Sequence, residues 1–253
     1  MLHTNEFPVL EFDDDPVAQI NPAEIADRQF STDRLVITFF PEVIEKLVKE
    51  DKVAVDLIIK GENPVTLYKF RDADVLITLG QVGCPACGGN LDVFYGFGAR
   101  RVMFCGGGGV LDRTIGVGQP LLVDSAIRDE GFSYQYVAPS RYIYANKEVN
   151  DKVAASLERR GVPYLRGRVW TTDSLFRETK ARVAARKAEG ARIVEMEQAG
   201  NLAVAQVRGL RYAALIYGGD DVSGENWDER NWRSRDGIRW DLVQLCKELV
   251  LEL

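Results

Sequence analysis

From Leu35 onward the chain alternates short apolar runs, rich in β-branched residues, with stretches whose apolar positions recur at helical spacing. That alternation predicts strands joined through crossover helices. Residues 35–40 read as a strand, and Pro41 then suits the first turn of a helix ending near Lys49, where its missing N–H is not needed. Residues 55–60 and 65–70 read as paired strands around the turn Gly61-Glu62-Asn63-Pro64, and 75–79 as a short central strand. A helix is expected over 86–97, stopped by Gly98, followed by a strand over 101–105 that runs into Gly106, Gly107, Gly108 and Gly109. Strand 120–123 leads into a polar segment, 124–136; a helix over 147–160 is broken by Gly161-Val162-Pro163 before a strand over 164–170. A charged surface helix over 176–189, a helix over 195–208, a strand over 211–217 and a final helix over 235–251 complete the pattern. The polar stretch 223–236, with Trp227 and Trp232, reads as a loop or lid. With no repeat or low-complexity segment, residues 1–253 are expected to form a single α/β domain with a central mixed, mostly parallel sheet flanked by helices.

At 253 residues and 46% hydrophobic, the chain can bury one core without staples. A net charge of -6 gives no basic stripe for a nucleic acid, and no apolar run reaches the roughly 18 residues of a membrane span. The start, Met1-Leu2-His3-Thr4-Asn5-Glu6, lacks the basic and apolar regions of a signal peptide, so a cytoplasmic protein without nucleic-acid or membrane partners is expected. The four cysteines then read as reduced thiols. Cys84-Pro85-Ala86-Cys87 has the spacing of a redox pair, but its flanking glycines fit a strand-to-helix turn near a ligand better. His3 is the only histidine and Cys105 and Cys246 are isolated, so neither a metal nor an organic cofactor is expected.

The candidate chemistry lies in Glu195-Met196-Glu197 and in Asp220, 23 positions after Glu197. A carboxylate at the start of a helix and a second at the mouth of the next strand could grip a sugar and protonate a leaving group. Four successive glycines weaken a regular element, so they read as backbone brought close to a small ligand rather than as packing. Each piece alone also has an ordinary reading: glutamates favoured by a helix dipole, and Asp220-Asp221 as a cap or turn.

Taken together, four segments resemble one family. They are Gly83-Cys84-Pro85 before a helix, the four glycines with Val117-Gly118 downstream, the run Asp124-Ser125-Ala126-Ile127-Arg128-Asp129-Glu130-Gly131, and Val194-Glu195-Met196-Glu197 with Asp220. Trp170-Thr171-Thr172-Asp173 followed by Arg177-Glu178-Thr179 looks like a uridine-phosphorylase-type segment. The chain thus resembles the nucleoside phosphorylase and nucleosidase superfamily, which includes uridine phosphorylases, hexameric purine nucleoside phosphorylases and methylthioadenosine nucleosidases. The resemblance implies that fold, a homodimer or homohexamer, a small nucleoside substrate, and phosphate as co-substrate in salvage-type phosphorolysis. It implies that Glu197 holds ribose hydroxyls, Met196 packs under the sugar, Glu195 lies beside them, and Asp220 protonates or hydrogen-bonds the departing base. Gly106, Gly107 and Gly108 would present backbone amides to the nucleophile. Trp170, Leu175 and Phe176 would face the base, or equally belong to the core, and His3 would reach an adjacent subunit's sugar site, or be a loose terminus.

Departures from the family pattern bear on the acceptor. Family phosphorylases carry a Gly-Asp-Pro-x-Arg loop and a second arginine just before the glycine loop; the stretch matched here is Asp14-Asp15-Pro16-Val17-Ala18, and the second position reads Phe104. The serine or threonine expected inside the loop reads Gly107. Carboxylates at Asp13, Asp14 and Asp15 beside an anion would cost about 4 kcal/mol per close pair at an intermediate dielectric. Either Arg101, Arg113, Arg128 or a neighbouring subunit compensates, or Asp14 or Asp15 activates water and the protein is a hydrolase; 13–15 also reads simply as a solvated turn before Pro16. Phosphorolysis is the family default, with hydrolysis and non-catalytic nucleoside binding as alternatives. The glutamine and arginine that read uracil are not evident after Phe176, which leaves purine and pyrimidine both open.

Overall fold

Strands β1 (Leu2–His3) and β2 (Phe12–Asp13) form a small antiparallel pair, followed by the short helix α1 (Pro22–Ile25). The main body runs β3 (Arg34–Thr38), α2 (Pro41–Lys49), β4 (Val53–Ile59), β5 (Val65–Phe70), β6 (Leu76–Leu79), α3 (Cys84–Gly96) and β7 (Arg101–Val110). It continues with β8 (Pro120–Asp129), β9 (Tyr142–Tyr144), α4 (Lys147–Arg159), β10 (Leu165–Thr172), α5 (Lys180–Ala188), β11 (Ala191–Glu195), α6 (Gln198–Arg208), β12 (Arg211–Asp221) and α7 (Asp236–Val250). This computed structural model describes residues 1–61, 63–234 and 236–253. The expected turn residue Glu62 and the expected helix start Arg235 lie outside the described residues.

The strands read as continuous apolar runs because both faces of the sheet are covered, so successive residues enter opposite cores. Leu35, Ile37, Val102 and Phe104 pack with α3 and α6, whereas Val36, Met103 and Cys105 pack with α2, α4 and α7. The sheet is mixed, in the order β11-β10-β8-β12-β7-β3-β6-β5-β4, with β9 beside β8. Parallel pairing holds for β3 with β6 and β7, for β7 with β12, and for β10 with β8 and β11. Antiparallel pairing appears among β4, β5 and β6, and where β12 meets β8. A further antiparallel pairing of β11 with β7 joins the end of the order back to its middle, so β7, β12, β8, β10 and β11 close into a ring.

The four glycines, expected as a loop, instead continue β7, and packing requires at least one of them: a Cβ on Gly108 would lie 2.5 Å from both Ile193 Cγ2 and the Val194 carbonyl oxygen. The polar segment expected after residue 123 is also strand, since β8 extends to Asp129. Its polar side chains have partners across the fold, including Ser125 Oγ, which accepts from Arg168 Nε at 3.0 Å. Helix α3 starts two residues earlier than expected, at Cys84, and α5 starts at Lys180 after a 3-10 turn. Residues 195–197 are not helical: Glu195 ends β11 and α6 begins at Gln198. The four cysteines are free and buried, and among the described residues no helix is long and apolar enough to cross a membrane.

Gly108→Ala is expected to cost about 1–3 kcal/mol of unfolding free energy, the range for overpacking a filled site. Urea denaturation of the variant checks this, and an unchanged midpoint would contradict the closure described.

Candidate active site

The strand ends around the glycine segment bring several carboxylates together. Glu195, at the end of β11, is only 6% exposed and receives three donors. Its Oε1 accepts from the Thr171 hydroxyl at 2.5 Å, and its Oε2 from the backbone N–H groups of Glu197 at 2.6 Å and Gln198 at 2.7 Å. Thr171 Oγ1 in turn accepts from Ala199 N–H at 3.0 Å. Glu195 and Thr171 thereby satisfy the otherwise orphaned N–H groups at the start of α6, so the helix is capped from neighbouring strands.

Glu197, at the N-cap position, makes no side-chain cap bond and is released for another use. Its Oε1 accepts from Gly83 N–H at 2.8 Å, in the turn between β6 and α3 where Gly83 has φ of 93°. The Met196 N–H is a second backbone donor to this carboxyl, and the residue is 8% exposed. One oxygen is thus fixed against the start of α3. Burial raises both carboxyls above the ordinary carboxylate range, and the Glu197 charge raises Glu195 further; the N–H and O–H donors oppose this. The donors are unevenly shared: Glu195 receives the Thr171 hydroxyl and two N–H groups, and Glu197 the N–H groups of Gly83 and Met196.

Asp220 lies near the end of β12, on the far side of the glycine strand. Register places Val194 opposite Gly109 on one edge of β7, and Gly218 opposite Gly108 and Asp221 opposite Val110 on the other. At ~4.8 Å per strand spacing, the main chains bearing Glu195 and Asp220 are about 10 Å apart, flanking the same glycines. Asp220 Oδ2 accepts from Trp227 Nε1 at 2.7 Å. Its neighbour Asp221 serves the scaffold, being buried, accepting from Ser223 N–H at 2.8 Å and bridging to Asp228 through the backbone. Glu178, half-buried before α5, faces Asp220; burial first and the Asp220 charge second push its carboxyl up to about 7. In the sequence Glu178 stands out only as part of a matching segment, and no local pattern marks it as Asp220's neighbour.

Other expected site residues are placed differently. Asp14 is tied to the N-terminal ammonium, with His3 Nε2 at 3.9 Å, on an exposed segment; Asp15 is exposed too, and accepts from Val17 N–H at 2.9 Å. Among the described residues none of these side chains bonds to Glu195, Glu197, Asp220 or the glycines. Trp170 is fully buried, and its Nε1 donates to Asp129 Oδ2 at 2.9 Å, while Phe176 is 95% exposed and Leu175 is exposed as well. Met196 is half-buried beside the two glutamates. Gly107 is exposed, Gly108 partly so, and Gly106 buried. Cys84 and Cys87 have their thiols pushed up by burial, so the helix they open is not a thiolate site. A cavity of about 540 Å³ opens by Arg211 and Leu253, at the opposite end of β12 from Asp220, and holds none of these carboxylates.

Asp14–Ala18, the stretch matched to the family's proline loop, lies between β2 and α1 on the exposed N-terminal segment. A strand-to-helix turn with a proline at its third position is formed by Phe39-Phe40-Pro41-Glu42-Val43, between β3 and α2. The Phe39 ring packs against Phe104 at 5.3 Å between centroids, and Val43 is buried. The arginines considered as substitutes are committed elsewhere. Arg101 forms a bidentate pair with Asp33 at 3.0 and 2.5 Å at the start of β7, and Arg128 donates to Ser133, Val137, Ala138 and Ser140. Arg113 lies 3.3 Å from Asp221 and is 75% exposed.

Residues 33–238 match the family model of the phosphorylase superfamily, and the chain belongs to that superfamily. Solved structures of the same fold include uridine phosphorylase from Vibrio fischeri ES114, at 17% identity and a TM-score of 0.68 over 90% of this chain and 96% of that one. Purine nucleoside phosphorylase from Toxoplasma gondii, in complex with immucillin-H, matches at 14% identity and 0.71, over 93% and 97%. Campylobacter jejuni 5'-methylthioadenosine/S-adenosyl homocysteine nucleosidase matches at 16% and 0.67, over 87% and 97%.

The raised carboxyls make stability depend on pH. Their contribution is fully present below the ordinary value of 4.5 and is lost as pH rises through the raised folded values. Urea titrations from pH 5 to pH 8 should therefore show a decline that Glu195→Gln reduces. A slope identical in wild type and variant would contradict the burial of this pair.

Proposed function

We propose that the protein cleaves the N-glycosidic bond of a nucleoside and that water is the acceptor. The observation that carries the reading is the Glu197 carboxylate, fixed through Oε1 by Gly83 N–H at the end of the strand ring. In this reading Glu197 holds sugar hydroxyls, and its charge stabilises the cationic sugar as the base departs. Met196 packs beneath the sugar. Asp220, oriented by Trp227, hydrogen-bonds or protonates the leaving base, and Glu178, whose carboxyl titrates near neutrality, supplies the proton at that end.

Water is favoured over phosphate because the turn after β3 and the position before the glycines carry Phe39 and Phe104, packed on one another. A phosphate there would lose hydration to aromatic carbon without a paired cation, which is unfavourable for a buried anion. Phosphorolysis is the second reading, supported by the exposed main chain at Gly107.

A panel of purine and pyrimidine nucleosides, incubated with and without inorganic phosphate while free base is followed, separates the cases. Release independent of phosphate is expected. A strict phosphate requirement would select the second reading, and binding without release a non-catalytic protein. Glu197→Gln and Asp220→Asn are each expected to lower kcat/KM about 100-fold or more, the scale of a lost electrostatic or general-acid contribution. A loss within about threefold, under about 1 kcal/mol, would remove these residues from the roles assigned.

A further inference from the structure

On the other face of the sheet, Tyr217 of β12 lies directly opposite Gly107 of β7. The two are packed so closely that a Cβ on Gly107 would lie 2.9 Å from Tyr217 Cζ and 3.2 Å from its Oη. The phenol therefore fills the space beside the exposed glycine main chain, and the ring is completely buried. Its hydroxyl accepts from Arg239 Nε at 3.2 Å. Arg239, of α7, is itself only 9% exposed and donates through Nη1 to Glu42 Oε1 at 2.8 Å, in the first turn of α2. Phe40 and Trp232 have ring centroids 5.2 Å from the guanidinium, and Phe40 packs on Tyr217 at 5.9 Å. A buried cation thus stands one phenol away from the glycine strand.

We infer that Tyr217, seated by Arg239, determines the acceptor by keeping inorganic phosphate off the main chain at Gly107. With the ring in place, an oxyanion approaching this face meets aromatic carbon, and the guanidinium is engaged by a phenol and a carboxylate. Cut back to a small hydroxyl-bearing side chain, the same position opens a ring-sized space between Arg239 and the glycine amides. That is a site suited to a tetrahedral oxyanion, since a guanidinium forks onto two of its oxygens. Tyr217 is accordingly a specificity-determining residue rather than a catalytic one. The inference rests on the hydrolytic reading above, yet it draws on a different face of the sheet from Phe39 and Phe104.

The test compares wild type, Tyr217→Ser and Tyr217→Phe by calorimetric titration with inorganic phosphate, and by the partition of the sugar product between free sugar and sugar phosphate. Tyr217→Ser is expected to bind phosphate at least tenfold more tightly than wild type and to divert product into sugar phosphate. Tyr217→Phe, which keeps the ring, is expected to behave as wild type in both. A folded Tyr217→Ser that gains no phosphate affinity would overturn the inference while leaving hydrolysis intact. A wild type yielding only sugar phosphate would instead remove the hydrolytic reading itself. Should Tyr217→Ser not fold, Tyr217→Phe decides alone: a gain in phosphate affinity there overturns the ring as the block, and no gain supports it.

Discussion

The contact between Gly108 and the end of β11 is the constraint on which the site depends. Two strands meet the tail of β7, and at Gly108 the meeting leaves no room for a side chain, because the Val194 carbonyl and Ile193 occupy that volume. The ring of β7, β12, β8, β10 and β11 closes only through this approach. Closure carries Glu195 to one edge of β7, while β12 carries Asp220 to the other. A strand with ordinary side chains at this point would hold the two apart.

Burying two glutamates at that junction is unfavourable unless the fold answers each charge, and it answers them unequally. Glu195 takes the Thr171 hydroxyl and two N–H groups of the first turn of α6, which makes it part of the scaffold. Glu197 takes the Gly83 N–H through Oε1 and a second backbone donor from Met196. Division of labour between adjacent acidic residues follows: one stabilises a helix start, and the other is the one to which the proposed function assigns the sugar. Asp220 and Asp221 repeat the arrangement on β12, with Asp221 holding the backbone bridge to Asp228 and Asp220 facing Trp227 and Glu178.

Aromatic residues pack beside the glycine segment on both faces of the sheet. Phe39 and Phe104 pack together on one, and Tyr217 with Phe40 on the other, where Arg239 is neutralised by Glu42. An anion and a water molecule differ most in what they require of such surroundings. Water needs only two or three hydrogen-bond partners, whereas phosphate needs concentrated positive charge, and it is on this difference that the proposed choice of acceptor rests.

Much of the architecture was legible in the chain order of apolar runs. Continuous apolar runs rich in β-branched residues mark the strands, and Pro41 and Gly98 mark a helix start and stop, because these depend on steric preferences within a few residues. The acidic motif was legible too, since Glu195, Glu197 and Asp220 form a recognisable combination. Tertiary structure alone decided that the glycines are strand, that β8 runs through its polar residues to Asp129, and that Glu195 caps a helix instead of opening it. It also decided that Phe39 to Val43 forms a strand-to-helix turn, and that Glu178, Tyr217 and Arg239 stand beside the candidate site. Each of these depends on contacts between residues far apart in the chain, where ring closure and the volume left by a missing side chain determine the neighbours, and local spacing carries no record of either.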